Sequence, residues 1–223
     1  MTTLTCSIIA GIAGLCAGLL LHWIAQLILA GDDTVCCAKP SQTKIFALLI
    51  CPLLSILIIH MIPLPYVSAT LFFISALLIA TITDMQALVI SRFTSLFLVP
   101  IGWVFAFFNF LPISFLASIA GSIFGYAILY ITARIFYVVS KKDGLGSGDY
   151  ELLAYIGTFT GITGVWLSLL IGCLFGSIIG LGLLAIGKTT RTTLIPFGPF
   201  LALGAVIYLL YGHALIKLLL YSC

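Results

Sequence analysis

Two carboxylates occupy positions at which a charged side chain is unusual. Asp149 follows the glycine-rich stretch 144–148 and opens an apolar run, and Asp84 directly follows the apolar run 67–83. A carboxylate is costly where a helix enters hydrocarbon, so an acid in such a position is usually functional. Two carboxylates that lie close together do not both ionise readily and share a proton. If Asp84 and Asp149 meet, the sequence predicts the chemistry of an aspartic protease, in which one carboxylate activates water and the other, protonated, polarises the scissile carbonyl.

The stretch before Asp149 has glycine at alternate positions, namely Gly144, Gly146 and Gly148. Glycine permits a positive φ and a close approach of backbone to a ligand. An extended substrate segment could pair with such a loop. We therefore expect Gly146 and Gly148 to contribute to substrate binding beside Asp149.

The composition of the chain is that of an integral membrane protein. Hydrophobic residues make up 63% of the 223 residues and charged residues only 7%, with a mean hydropathy of +1.34. Soluble domains typically have about a quarter of charged residues, so a soluble globular domain is excluded. The length accommodates roughly eight helices of about 20 residues each. The sequence predicts one all-α polytopic membrane domain over residues 1–223.

The predicted spans follow eight apolar runs: 4–29, 45–62, 67–83, 93–110, 112–139, 150–159, 165–186 and 200–221. The sixth run is too short to span by itself. It becomes long enough only if Gly161 and Gly164 lie inside it or in a tight outer turn.

Basic residues predict the orientation of these helices. Eight helices place both termini on one face and loops one, three, five and seven on the other. Those loops and the adjoining helix ends contain eight of the nine basic residues: Lys39, Lys44, Arg92, Arg134, Lys141, Lys142, Lys188 and Arg191. Cytoplasmic loops collect Lys and Arg. We therefore expect both termini to lie on the outer side of the membrane, and Asp84 and Asp149 to lie at one depth on the cytoplasmic side.

Three stretches, in this order along the chain, carry a resemblance to a known family. Thr83-Asp84 with the later Ile90 looks like the first aspartate segment of bacterial type IV prepilin peptidases, which are intramembrane aspartic proteases of the GxGD type. Gly146-Ser147-Gly148-Asp149 resembles their Gly-x-Gly-Asp signature, and residues 195–204 are similar to their C-terminal signature. The resemblance covers roughly residues 80–204.

The resemblance implies a substrate and a site. Family members remove the short basic leader of type IV prepilins or type II secretion pseudopilins at the cytoplasmic face of the bacterial inner membrane. Carried over to this sequence, Asp84 and Asp149 are the catalytic pair, and Gly146 and Gly148 shape the loop that holds Asp149. The implied partners are prepilins or pseudopilins and membrane lipid, with no nucleic acid; the oligomeric state is left open.

Many members of the family also methylate the new N-terminus with S-adenosylmethionine, and larger members have two Cys-x-x-Cys pairs in the first loop that resemble a zinc site. In this chain the corresponding cytoplasmic loop is only residues 30–44, with the adjacent pair Cys36-Cys37. Structural zinc needs about four ligands at suitable spacing. We therefore predict no zinc or other metal. Methylation, its S-adenosylmethionine cofactor and the residues that would bind it are left undecided.

Two further departures bear on the catalytic pair. Ser91-Arg92 stands where the family usually has proline followed by an acid or amide, and Glu151 stands where a lysine is usual. Loss of that lysine removes a cation that could hold Asp149 ionised, and Arg92 is a candidate to replace it. We interpret Glu151 itself as a helix-start charge favoured by the helix dipole. These departures keep an alternative open: a non-catalytic relative that acts as an assembly or substrate-binding membrane component.

Overall fold

The computed structural model of the protein describes residues 2–30, 40–141, 146–187 and 195–221. The elements are α1 (Thr2–Ala30), α2 (Pro40–Met61), α3 (Leu64–Ala87), a 3₁₀ helix (Leu96–Leu98), α4 (Val99–Phe107), α5 (Phe115–Ser140), α6 (Ser147–Ala185) and α7 (Gly198–Tyr221). No strand occurs in these ranges, so the all-α prediction is confirmed.

Several helices are long and apolar enough to cross a membrane, as expected for a polytopic protein. Four segments meet this requirement by length and composition: Ala10–Leu29, Leu64–Ala87, Phe115–Ser140 and Ser147–Ala185. Shorter apolar helices cover Leu49–Met61, Leu96–Phe107 and Gly198–Gly212. The predicted number of eight spans stays a prediction.

Two predicted boundaries differ from those of the structure. Ala30 ends α1 and α2 begins at Pro40, so residues 30 and 40–44 of the predicted loop 30–44 are helical; residues 31–39 are outside the described residues. Proline is favoured in the first turn of a helix because the missing N–H has no partner there. The predicted run 93–110 begins with turns instead of helix, and α4 covers only its later part.

The turns after α3 are formed by side chains that bind the backbone. The hydroxyl groups of Thr94 and Ser95 both lie within hydrogen-bonding distance of the carbonyl oxygen of Ser91, at 2.8 and 3.2 Å. The backbone N–H of Thr94 also donates to this oxygen. Ser and Thr side chains that bind nearby backbone groups compete with helix formation. We call residues 88–95 the connecting segment.

The element α6 reverses direction at Gly161. This glycine has φ of 69° and ψ of −173°, a combination that is essentially restricted to glycine. A Cβ atom built on Gly157 would lie 2.8 Å from a methyl carbon of Val165, whereas residues eight apart in a continuous helix are about 12 Å apart. The element therefore consists of two arms, residues 147–160 and 162–185, with Gly161 in a tight turn. This is one of the two arrangements that the sequence left open for the sixth run.

Small residues allow the arms of α6 to pack closely on their neighbours. The first arm lies against α5, where a Cβ on Gly125 would meet the backbone of Leu153. The second arm lies against α7, where a Cβ on Gly204 would lie 2.9 Å from the Cα of Ser168. Apolar helices in a membrane associate mainly through such close packing of small residues.

These contacts also fix the directions of the helices. Ser118 near the start of α5 binds Thr158 near the end of the first arm. Thr163 at the start of the second arm binds Tyr208 near the middle of α7, and the later Ser168 lies against the earlier Gly204. Neighbouring elements are therefore antiparallel. As a result, the end of α3 and the starts of α6 and α7 lie together at one end of the helices, which we call the acidic end.

Candidate active site

Asp84 lies in the last turn of α3 and is only 5% exposed. Its Oδ2 atom accepts a hydrogen bond of 2.8 Å from the backbone N–H of Gly198. Gly198 is the first residue of α7, and the first N–H groups of a helix have no partner within the helix. The Asp84 carboxylate therefore occupies the N-terminus of α7, where the helix dipole favours a negative charge.

The contact between Asp84 and Gly198 leaves no room for a side chain at position 198. A Cβ atom there would lie 2.8 Å from Oδ2 of Asp84 and 3.2 Å from Cδ1 of Ile90. Sequence reasoning did not identify Gly198 as a site residue. The available signal was a glycine enclosed by Pro196 and Pro199 in the stretch 195–204, since such a position often marks a helix start or a close backbone approach.

Asp149 lies in the first turn of α6 and is 8% exposed. Its carboxylate accepts a hydrogen bond from the backbone N–H of Gly146, and its own N–H donates to the carbonyl oxygen of Gly146 over 3.2 Å. This reciprocal arrangement is similar to a capping box, in which the third helical residue binds back to the residue that caps the helix. The start of α6 therefore holds the Asp149 side chain in place.

The structure brings Asp84 and Asp149 together at the acidic end. The two carboxylates are near enough for Asp84 to act electrostatically on Asp149. The side chain of Ile90 packs against the backbone beside each acid. A Cβ atom built on Gly148, next to Asp149, would lie 2.6 Å from Cβ of Ile90, and one built on Gly198, which binds Asp84, would lie 3.2 Å from its Cδ1. Ile90 therefore contacts the surroundings of both buried acids.

The conformational reason given for Gly146 and Gly148 is wrong. Gly146 is exposed and extended, with φ of −69° and ψ of 145°, and Gly148 is in the first turn of a helix; neither has a positive φ. Gly148 is instead required by space, because its Cα faces the Ile90 side chain. Gly144 lies outside the described residues.

Glu151, interpreted from the sequence as a helix-start charge favoured by the helix dipole, is buried and has partners from outside its helix. Its residue is 4% exposed, its Oε1 atom lies 3.3 Å from Nε of Arg92, and its Oε2 atom lies 3.3 Å from the hydroxyl of Ser95. A buried carboxylate needs such partners because loss of water is costly for a charge. Arg92 therefore has Glu151 as its partner, whereas the sequence suggested Asp149.

A profile of the type IV leader peptidase family matches residues 71–181. This range contains both aspartates of the acidic end. Residues 71–181 therefore belong to the type IV leader peptidase family.

Individual relatives of the chain share one name, prepilin leader peptidase/N-methyltransferase. The chain is 36% identical over 100 residues to the prepilin leader peptidase/N-methyltransferase of Pseudomonas aeruginosa, a match that covers 45% of this chain and 34% of the relative. The protein of that name from Aeromonas hydrophila is 32% identical over 120 residues, with 53% and 41% covered. The one from Legionella pneumophila is 37% identical over 92 residues, with 41% and 32% covered.

The matches span between about a third and two fifths of the length of these curated relatives. No solved structure matches the chain significantly. Gly198 lies beyond the residues that the family profile matches, so the contact between Asp84 and α7 joins the leader peptidase region to the rest of the chain.

The acidic residues that the structure describes do not gather with histidine or cysteine into a metal site. Among residues 2–30, 40–141, 146–187 and 195–221, no group of three or more His, Cys, Asp or Glu side chains could hold a metal ion. Cys36 and Cys37, on which the absence of zinc was predicted, lie outside those residues, so that prediction remains a prediction.

Proposed function

We propose that this protein is an intramembrane aspartic endopeptidase that removes the leader of type IV prepilins or type II secretion pseudopilins. The observation that carries the proposal is the pair of buried carboxylates, Asp84 and Asp149, held side by side by glycine N–H groups at the starts of two helices. The family of residues 71–181 and the names of the relatives support the choice of substrate.

The proposed chemistry needs one proton on the pair. The ionised carboxylate removes a proton from water as the water attacks the scissile carbonyl, and the protonated carboxylate donates a hydrogen bond to the carbonyl oxygen. Both acids are largely shielded from bulk water, and electrostatic interactions are stronger in such surroundings. The two carboxylates act as a unit, so neither is assigned as acid or base in the resting state.

The proposed substrate contacts lie at the start of α6. Gly146 is exposed, and a Cβ atom there would contact Oδ2 of Asp149 at 3.5 Å, so a substrate backbone that reaches Gly146 also reaches the carboxylate. Gly148 supports the same contact from within the helix, where it keeps Ile90 close. The proposed location is the inner membrane of a bacterium, with the acidic end and its basic residues on the cytoplasmic side and both termini in the periplasm.

Transfer of a methyl group is a second candidate activity, because the relatives are named as both peptidase and N-methyltransferase. S-adenosylmethionine would supply the methyl group. The described residues do not identify a site for it, so the activity is tested only through the product.

The test is cleavage of a co-expressed prepilin by the wild-type protein and by Asp84→Asn and Asp149→Asn. Asparagine preserves size but cannot share the proton, so each variant should lose at least about a hundredfold in cleavage rate. Asp143→Asn makes the same chemical change at a charge outside the proposed pair and serves as the control. Mass spectrometry of the product N-terminus shows whether a methyl group has been added.

Cleavage that persists in both aspartate variants would show that the catalytic residues are elsewhere. Binding of prepilin without cleavage by the wild type, over several pilin-like substrates, would favour the non-catalytic membrane component.

A further inference from the structure

An ion pair between an exposed arginine and a buried glutamate lies near Asp149 in the chain and takes no part in the proposed chemistry. Glu151, two residues after Asp149, is 4% exposed, and both of its carboxylate oxygens have partners. Arg92 provides the charged partner at 3.3 Å and Ser95, which is fully buried, provides the neutral one at 3.3 Å. The arginine side chain is 69% exposed and the glutamate side chain 5%.

The burial of Glu151 makes this pair different from an ordinary surface salt bridge. Exposed pairs contribute little because water solvates either charge when the partner is removed. Water cannot solvate a buried carboxylate in this way, so removing its partner leaves an uncompensated charge. The neighbouring hydroxyl of Ser95 compensates only partly, because its single proton is shared between Glu151 and the carbonyl oxygen of Ser91.

Both partners of Glu151 belong to the segment that also carries Ile90. Arg92 and Ser95 follow Ile90 by two and five residues in the connecting segment, residues 88–95. The side chain of Ile90 contacts the backbone next to Asp149 and the glycine that binds Asp84. The ion pair therefore fastens to α6 the segment whose Ile90 packs against the backbone beside both acids.

We propose that Arg92 and Glu151 are positioning residues that hold the connecting segment on α6 and thereby set the spacing of Asp84 and Asp149. The inference rests on the proposed peptidase function for its kinetic consequences but not for its structural ones. Neither residue touches the substrate in this proposal. Their effect on cleavage is transmitted through Ile90, Gly148 and the start of α7.

The kinetic test compares Arg92→Glu, Glu151→Arg and the double variant with both changes in prepilin cleavage. Each single variant places two like charges together, and the resulting shift of the connecting segment should lower kcat about tenfold to a hundredfold with little change in KM. The double variant restores an ion pair of reversed polarity and should recover to within about threefold of the wild type. Arg92→Lys keeps the charge and should retain most of the activity, whereas Arg92→Gln should not.

The structural test needs no catalysis. A single cysteine at position 90 is introduced by Ile90→Cys into a variant whose native cysteines are replaced, and its rate of modification by a maleimide is measured. The rate should rise about fivefold or more when Arg92→Gln or Glu151→Gln is added, because the segment is then free to move away from α6. It should return towards the starting value when the reversed pair is installed.

The two tests separate failure of this inference from failure of the proposed function. Equal modification rates in all variants, together with single variants that cleave like the wild type, would overturn the positioning role while leaving the peptidase intact. The opposite combination is also decisive. If the ion pair protects the cysteine introduced at position 90 but the wild-type protein cleaves no prepilin, the positioning role is supported and the peptidase function is overturned.

Discussion

Asp84 and Gly198 are 114 residues apart in the chain and are joined by a hydrogen bond of 2.8 Å from the glycine N–H to the carboxylate. The bond places the end of one helix against the start of another. It gives the N–H at the start of α7 a carboxylate acceptor, and it gives the buried Asp84 a donor from the backbone. The stretch 195–204 is therefore part of the site and not only a sequence signature.

A methyl group at position 198 should disturb this bond. In Gly198→Ala the new Cβ atom would lie 2.8 Å from Oδ2 of Asp84, so the carboxylate must move away from its donor. A hydrogen bond to a charged group contributes about 1.5 to 3 kcal/mol, and cleavage of a co-expressed prepilin should fall by about tenfold to a hundredfold. Cleavage at the wild-type rate would show that the bond is not needed for activity.

The two glycines before Asp149 should respond differently to substitution. Gly148→Ala places a Cβ atom 2.6 Å from Cβ of Ile90, whereas Gly146→Ala makes only an ordinary contact of 3.5 Å with Asp149. Overpacking of this kind typically costs about 1 to 3 kcal/mol. We expect Gly148→Ala to lose most of kcat because Ile90 is displaced, and Gly146→Ala to act mainly by raising KM, because its methyl group stands where the substrate backbone is proposed to approach. A Gly148→Ala variant with the kcat of the wild type would contradict the role assigned to Ile90.

The reversal of α6 depends on one backbone conformation. Gly161→Ala forces a residue with a Cβ atom into the conformation observed at φ of 69° and ψ of −173°, at a cost of about 1 to 3 kcal/mol. The variant should unfold at a lower temperature in detergent. Gly182→Ala is the matched control, because a Cβ atom there meets nothing within 4 Å. Equal unfolding temperatures for the two variants would contradict a strained turn at Gly161.

A buried serine on α5 supports the same turn. The hydroxyl of Ser118 donates to the carbonyl oxygen of Thr158 over 2.6 Å, and carbonyls in the last turn before a helix break lack a partner within the helix. Ser118→Ala should lower the free energy of unfolding by about 1 to 3 kcal/mol because that buried oxygen loses its donor.

Thr132→Ala provides the comparison for Ser118→Ala. The threonine is exposed and its hydroxyl binds only the carbonyl oxygen of Ile128 in the preceding turn of the same helix. Chemical denaturation in detergent should show a change of less than about 0.5 kcal/mol for this variant. An equal loss in both variants would mean that the bond across α5 and α6 has no special importance.

Much of the architecture follows from the hydrophobic composition and from the residues that interrupt the apolar runs. The apolar runs predict the positions of the long helices because a helix in a membrane must be apolar over most of its length. The sixth run is too short to span by itself, and the sequence indicates that Gly161 either continues this helix or turns the chain. Whether Gly161 continues the helix or reverses it could not be predicted, because that depends on the contact between Gly157 and Val165 across the turn.

The arrangement around the acids is less accessible to sequence reasoning. Asp84 and Asp149 stand out because charges in apolar surroundings are conspicuous. Gly198 and Ile90 fall in stretches that resemble the family, but their roles could not be predicted, because the importance of an apolar or absent side chain depends on what it touches. The departures at Arg92 and Glu151 look separate in the sequence, yet the two side chains contact each other. The two departures therefore concern one contacting pair, which neither position could reveal alone.

The reversal at Gly161 also has a consequence for biogenesis. Residues 147–160 form a helical arm about 21 Å long, which is shorter than the hydrocarbon core of about 30 Å. Alone, its ends would not reach both headgroup regions. We therefore expect the segment that carries Asp149 to enter the bilayer together with the second arm, as one hairpin.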